Sequence, residues 1–162
     1  MKAASIAFMN DNKTILLVDD SENDRLLMRA AFKKAGFDSP PREVQNGEQA
    51  IDYLKGEGAH SDRDRFPLPT VMLLDLNMPM KNGFEVLAWL RVQPGLRRLT
   101  VVVITASMRV EDVERAFDLG ANSFLVKPSA IEDLVSMIRC LHDWVQINQF
   151  PPLSDGAPTA GL

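Results

Sequence analysis

The chain has 162 residues, 46% of them apolar and 25% charged, the composition of one globular domain with a sizeable core; it excludes a low-complexity or disordered polymer. A formal charge of -4 gives no basis for nucleic-acid binding or for an anionic membrane surface, and a single cysteine excludes an intrachain disulfide. No apolar run approaches the roughly 18–20 residues of a membrane span, and the opening MKAASIAFMND lacks a convincing cleavage site, so the expected setting is the cytoplasm.

Residues 1–12 read as a flexible leader. Thr14 to Val18 (TILLV) is a continuous apolar run, suited to a strand buried on both faces of a parallel sheet. Ser21 then caps a helix carrying Leu26, Leu27, Ala30 and Ala31 and closing at Gly36. A weaker strand at Glu43 to Gln45 precedes a helix at Gly47 to Leu54. Gly56 to Pro69 is a polar loop longer than most such connections, and its residues carry no recognisable chemistry.

Val71 to Leu74 (VMLL) and Val101 to Ile104 (VVVI) are further buried-strand patterns, separated by a helix over Phe84, Leu87, Ala88 and Arg91 that Pro94-Gly95 stops. Val110, Val113 and Phe117 mark a fourth helix ending at Gly120, Ser123 to Val126 a fifth strand, and Ile131 to Ile147 a fifth helix. The βα order repeated five times predicts an α/β fold: a doubly wound parallel sheet spanning residues 13–149, followed by a Pro-, Gly- and Ala-rich tail at 150–162.

In such a sheet, ligands lie outside the carboxyl ends of the strands. The first strand delivers Asp19 and Asp20 there, the third Asp75 followed by Asn77, the fourth Thr105 and Ser107, and the fifth Lys127-Pro128. Singly, each has a plain reading. Asp19 and Asp20 can end a strand and begin a helix, with Ser21 and Asp24 as an approximate capping pair. Asp75 can be a turn residue, Thr105 a strand former, and Lys127 a surface lysine. Together, three carboxylates on one rim repel unless a cation neutralises them. Hard oxygen ligands favour Mg²⁺ over zinc or iron, and both histidines, His60 and His142, fall outside the cluster. A carboxylate beside Mg²⁺ and a lysine is equipped to attack phosphorus, which makes Asp75 the expected acceptor of an aspartyl phosphate.

The pattern resembles the receiver domain of two-component response regulators from Lys13 to about Val145. Paired acids (Asp19, Asp20), the stretch DLNMPMKNG around Asp75, a hydroxyl at Thr105 and Lys127-Pro128 occur in the family's order. The resemblance implies a flavodoxin-like five-stranded sheet of order 2-1-3-4-5 with five helices. It implies Mg²⁺ held by Asp19, Asp20, Asp75 and the backbone carbonyl of Asn77, Lys127 on the phosphoryl group, and a switch formed by Thr105 and Phe124. It also implies a cis Lys127-Pro128 bond and a sensor histidine kinase as donor. The opening DDSENDRLLMRAAF, the long loop before the third strand and Trp144 look most like stand-alone regulators paired with bacteriophytochromes.

Too few residues follow Gln149 for an output domain, and no GxxxxGK[ST] loop is present, so a change of surface is the expected output. The alternative within the class is a relay shuttle passing the phosphoryl group to a histidine phosphotransfer protein. A dehalogenase-like Mg²⁺ phosphatase would need a second aspartate where Asn77 stands, and a flavodoxin-like cofactor phosphate would face three carboxylates. On the last helix, Met137, Cys140, Trp144 and Ile147 form a second apolar stripe beside the one that should face the sheet, and Phe150-Pro151-Pro152-Leu153 follows as a stiff apolar arm. A symmetric homodimer is expected, with these helices paired and Phe150 and Pro151 in the interface.

Overall fold

The apolar runs become the centre of a parallel sheet. In the computed structural model, which describes residues 13–155, β1 (Ile15–Val18) and β3 (Val71–Leu74) are buried along their whole length. They are flanked by β2 (Arg42–Val44) on one side and by β4 (Thr100–Thr105) and then β5 (Ser123–Val126) on the other. The order is β2-β1-β3-β4-β5, every pairing parallel, as expected. The leader 1–12 and the end of the tail, 156–162, lie outside the described residues.

Two helices cover one face and three the other. Leu17, Leu73, Val102 and Ile104 pack against α1 (Glu22–Ala35) and α5 (Ile131–Ile147) through Phe32, Leu134, Ile138 and Val145. Leu16, Val18, Met72, Leu74, Val101 and Val103 pack against α2 (Gly47–Lys55), α3 (Gly83–Arg91) and α4 (Val110–Asp118). Because side chains alternate across a strand, each buried strand feeds both layers, which is why these runs read as continuously apolar rather than alternating. Among the described residues no helix is long and apolar enough to cross a membrane.

The 56–69 loop, which carried no recognisable chemistry, is joined to the tail. Arg63, in the 56–69 loop, donates to the carbonyls of Tyr53 and Leu54 at the end of α2 and to that of Phe66, and it pairs with Asp155. The tail therefore lies on its own domain. Phe150 packs edge-on against Trp144 with ring centroids 5.6 Å apart, Leu153 rests on the α2–α4 core cluster, and the Ser154 N–H donates to the Gly95 carbonyl at 3.0 Å. Leu153 thus finds apolar contact, and Arg63 an anion, within the same chain. Of the second α5 stripe, Cys140 is exposed, Trp144 is 39% and Ile147 80% exposed, while Met137 is half-buried against the core. A groove of about 690 Å³ runs between α5 and the β4–β5 edge, lined by Val102, Leu125, Met137, Cys140, Leu141 and Trp144 among others.

Candidate phosphoacceptor site

The sheet's hydrogen-bond ladder runs one residue past the strands and so fixes the backbones that carry the acids. The Asp19 N–H donates to Val44 O at 3.2 Å, the Asp75 N–H to Val18 O at 3.0 Å, and the Lys127 N–H to Thr105 O at 2.8 Å. Asp19 is 1% exposed and Asp75 6%, whereas Asp20 faces solvent. One carboxylate oxygen from each of the three lies within 4.8 Å of the others. All these ligand atoms are hard carboxylate oxygens, with no histidine or cysteine in the group, and such a set fits a small divalent cation with oxygen preference.

Lys127 is the countercharge. Its Nζ donates to Asp19 Oδ2 at 2.6 Å, to Asp24 Oδ2 at 2.9 Å and to Asp75 Oδ2 at 3.4 Å, using all three ammonium donors on carboxylates. Burial alone would lower the lysine pKa; the bonds to Asp19 and Asp24 outweigh it and hold the value above its ordinary range, which favours the charged ammonium. At Asp19, burial raises the carboxyl pKa despite the Lys127 bond and the bond from the Ser21 N–H. The Lys127-Pro128 bond is trans, as no cis peptide occurs among the described residues, which corrects the cis expectation. With the bond trans, the Lys127 N–H pairs with Thr105 O and the ammonium meets its three carboxylates.

The loop after β3 is shaped around Asp75. The Asn77 N–H donates to Asp75 Oδ1 at 3.3 Å. Met80 takes a left-handed φ of 66°, and Asn82 caps α3 in a reciprocal box with Glu85. Gly83 is a steric necessity, since a Cβ there would stand 2.4 Å from the Asp75 carbonyl oxygen. Thr105 is fully buried, its Oγ1 facing the Ser107 N–H at 3.4 Å, and Ser107 in turn donates to Asp112. Parallel register sets Phe124 opposite Val103, on the sheet face that Thr105 shares, where it is half-buried against the core.

The structure brings Asp19, Asp20, Asp75 and Lys127 together, with the Asn77 N–H on Asp75 and the Thr105 carbonyl on the Lys127 N–H. Two others were not foreseen. Asp24 read only as a helix-cap partner of Ser21, yet it reaches Lys127. Arg25 is buried on the core side of α1 and donates to the Asp19 carbonyl at 2.7 Å, with Glu43 at 3.9 Å. A cation in step with Met28, Ala31 and Ala35 on the apolar face of α1 was the available signal.

A doubly wound 2-1-3-4-5 sheet with a buried aspartate among acids and a lysine at its carboxyl rim defines a class of α/β domains that place an acidic site at the carboxyl ends of their strands. Residues 15–139 match the family model of the response regulator receiver domain, and the chain belongs to that family. It is 34% identical to response regulator Rcp1 of Synechocystis sp. over 143 residues, covering 88% of this chain and 95% of Rcp1. The crystal structure of Mn²⁺-bound Rcp1 superposes with a TM-score of 0.75, covering 86% of this chain and 99% of that one. Response regulator RPA3017, of red-light signalling in R. palustris, superposes at 0.81 with 36% identity over 86% of this chain and 98% of its own. The phosphorylated cyanobacterial phytochrome response regulator RcpA does so at 0.77 with 31% identity, over 86% and 98%.

Proposed function

We propose that this receiver accepts a phosphoryl group on Asp75 from a phosphohistidine of a sensor histidine kinase, itself a bacteriophytochrome, in the cytoplasm. The observation that carries the reading is the placement of Asp75: buried, 3.4 Å from the Lys127 ammonium and within 4.8 Å of two further carboxylates. An Asp75 carboxylate oxygen attacks phosphorus as the P–N bond breaks, its electron pair leaving on the imidazole nitrogen, which is then protonated. Asp19, Asp20, Asp75 and the Asn77 carbonyl would hold Mg²⁺, which when bound offsets charge on the phosphoryl oxygens. Lys127 supplies an N–H donor to one phosphoryl oxygen and Thr105 a hydroxyl to another. Turning Thr105 toward the phosphoryl group opens room for Phe124 to rotate, altering the face made by α4, β5 and α5. The names of the phytochrome-associated relatives support the choice of kinase. The same face, with Met137, Cys140, Trp144 and Ile147 and with Phe150 and Pro151 beside them, is the proposed homodimer contact.

The test is mass spectrometry after incubation with a small acyl phosphate and Mg²⁺. One added phosphoryl group, absent in Asp75→Asn, is expected; no adduct, or an adduct that persists in Asp75→Asn, overturns the reading.

A further inference from the structure

The rim holds a carboxylate that neither the metal cluster nor the acceptor accounts for. Asp24 lies in the first turn of α1, its backbone N–H capped by Ser21 Oγ at 3.2 Å, and its Oδ2 is nearer the Lys127 ammonium than Asp75 is, 2.9 against 3.4 Å. It is absent from the group formed by Asp19, Asp20 and Asp75. With a cation bound, Asp19 would direct its charge to the metal, and with the acceptor loaded, the Asp75 carboxylate would be tied up as an acyl phosphate. Asp24 is then the one of the lysine's three partners that still carries an uncommitted negative charge.

We propose that Asp24 sets the hold of this site on its phosphoryl group: by occupying one Lys127 donor and standing as an anion beside the acceptor, it weakens phosphoryl retention and strengthens cation binding. This rests on Asp75 being the acceptor. The sign follows from Coulomb's law, because two carboxylate oxygens sharing one ammonium are no more than about 6 Å apart, and a charge that close repels an anion and attracts a cation at the same locus. Because the Asp24 side chain is 39% exposed, solvent screening keeps the effect to about threefold to tenfold in each affinity. A residue of purely structural importance would not move the two affinities in opposite directions.

The experiment uses the full chain and two probes, beryllofluoride at saturating Mg²⁺ followed by fluorine NMR, and Mg²⁺ alone followed by calorimetry. Asp24→Asn, which keeps the side chain's shape and an acceptor oxygen, should bind beryllofluoride about threefold to tenfold more tightly and Mg²⁺ more weakly. Asp24→Glu, which keeps the charge, should stay near wild type. Unchanged affinities in Asp24→Asn, or two affinities moving in the same direction, overturn the proposal while leaving the acceptor reading intact. Wild-type protein that fails to bind beryllofluoride, or Asp75→Asn that binds it equally well, overturns both.

Discussion

Removing the Asp20 charge should stabilise the metal-free protein while abolishing Mg²⁺-dependent phosphorylation. Asp20 faces solvent, and one of its oxygens lies within 4.8 Å of oxygens of both Asp19 and Asp75. Two unit charges at that separation repel by about 0.9 kcal/mol in water and about 3.5 kcal/mol at the effective dielectric of a protein surface. Lys127 offsets part of this, since it stands against the other two acids at 2.6 and 3.4 Å. Taking the solvent-facing end of the range leaves a net relief of about 0.5–1 kcal/mol in Asp20→Asn. For a domain of this size that is a rise of about 1–4 °C in Tm. The assay is thermal unfolding with a chelator at low salt, repeated near molar salt, where the short Debye length should erase the gain. Added Mg²⁺ should raise the wild-type Tm and leave that of Asp20→Asn nearly unmoved. A clear loss of metal-free Tm in the variant would refute the electrostatic reasoning, because it would mean that Asp20 is held by favourable contacts rather than opposed by its neighbours.

Lys127→Met should cost about 3–5 kcal/mol in urea unfolding without metal, since it leaves Asp19 buried and unpaired, and Mg²⁺ should recover much of the loss. The pH dependence of metal binding has a definite sign. Asp19 has its folded pKa raised by burial, so the stability its protonated form contributes is present below the unfolded value and lost as pH rises through the folded one; Mg²⁺ needs the ionised form. The Mg²⁺-induced rise in Tm should therefore shrink as pH falls through that raised value, and a rise that stays constant on acidification until the fold is lost would contradict it. Arg63→Ala should cost about 1–3 kcal/mol through its lost bonds to the Leu54 and Phe66 carbonyls and should expose the chain beyond Asn148 to limited proteolysis, with protection unchanged if the Asp155 contact is incidental. In analytical ultracentrifugation at micromolar concentration the full chain should sediment as a dimer, and deletion after Asn148 combined with Trp144→Ala should give monomers; a full chain monomeric with and without phosphorylation rules the dimer out.

The fold and most of the rim were legible because burial leaves a one-dimensional trace. A strand covered on both faces must be apolar at every position, so TILLV, VMLL and VVVI announced themselves, and the first polar residue after each had to lie at the carboxyl edge. That is how the sequence places Asp19, Asp75 and Thr105 on one rim. Asp24 left no such trace: a short acid three residues after a serine is what a helix start requires in any case, and its bond to Lys127 spans 103 positions of chain. Local patterns hide a residue whose second role is long-range.

The tail shows the same limit from the other side. Phe150 to Leu153 read as surplus apolar surface because nothing nearby in sequence could cover it. The cover comes from Leu153 lying on the α2–α4 cluster and from Arg63, 92 positions from its partner Asp155, in a loop whose polar composition gave no hint of a partner. Arg63 spends its other donors on the carbonyls that end α2, so the guanidinium would be ordered with or without the tail, and the tail docks on a preformed anion site. Closing the chain onto its own domain therefore costs chiefly the ordering of a few residues already stiffened by Pro151 and Pro152. The Cys140, Trp144 and Ile147 edge of α5, with its adjoining groove and with Pro151 and Pro152 beside it, stays exposed, and the proposed dimer would have to bury that patch.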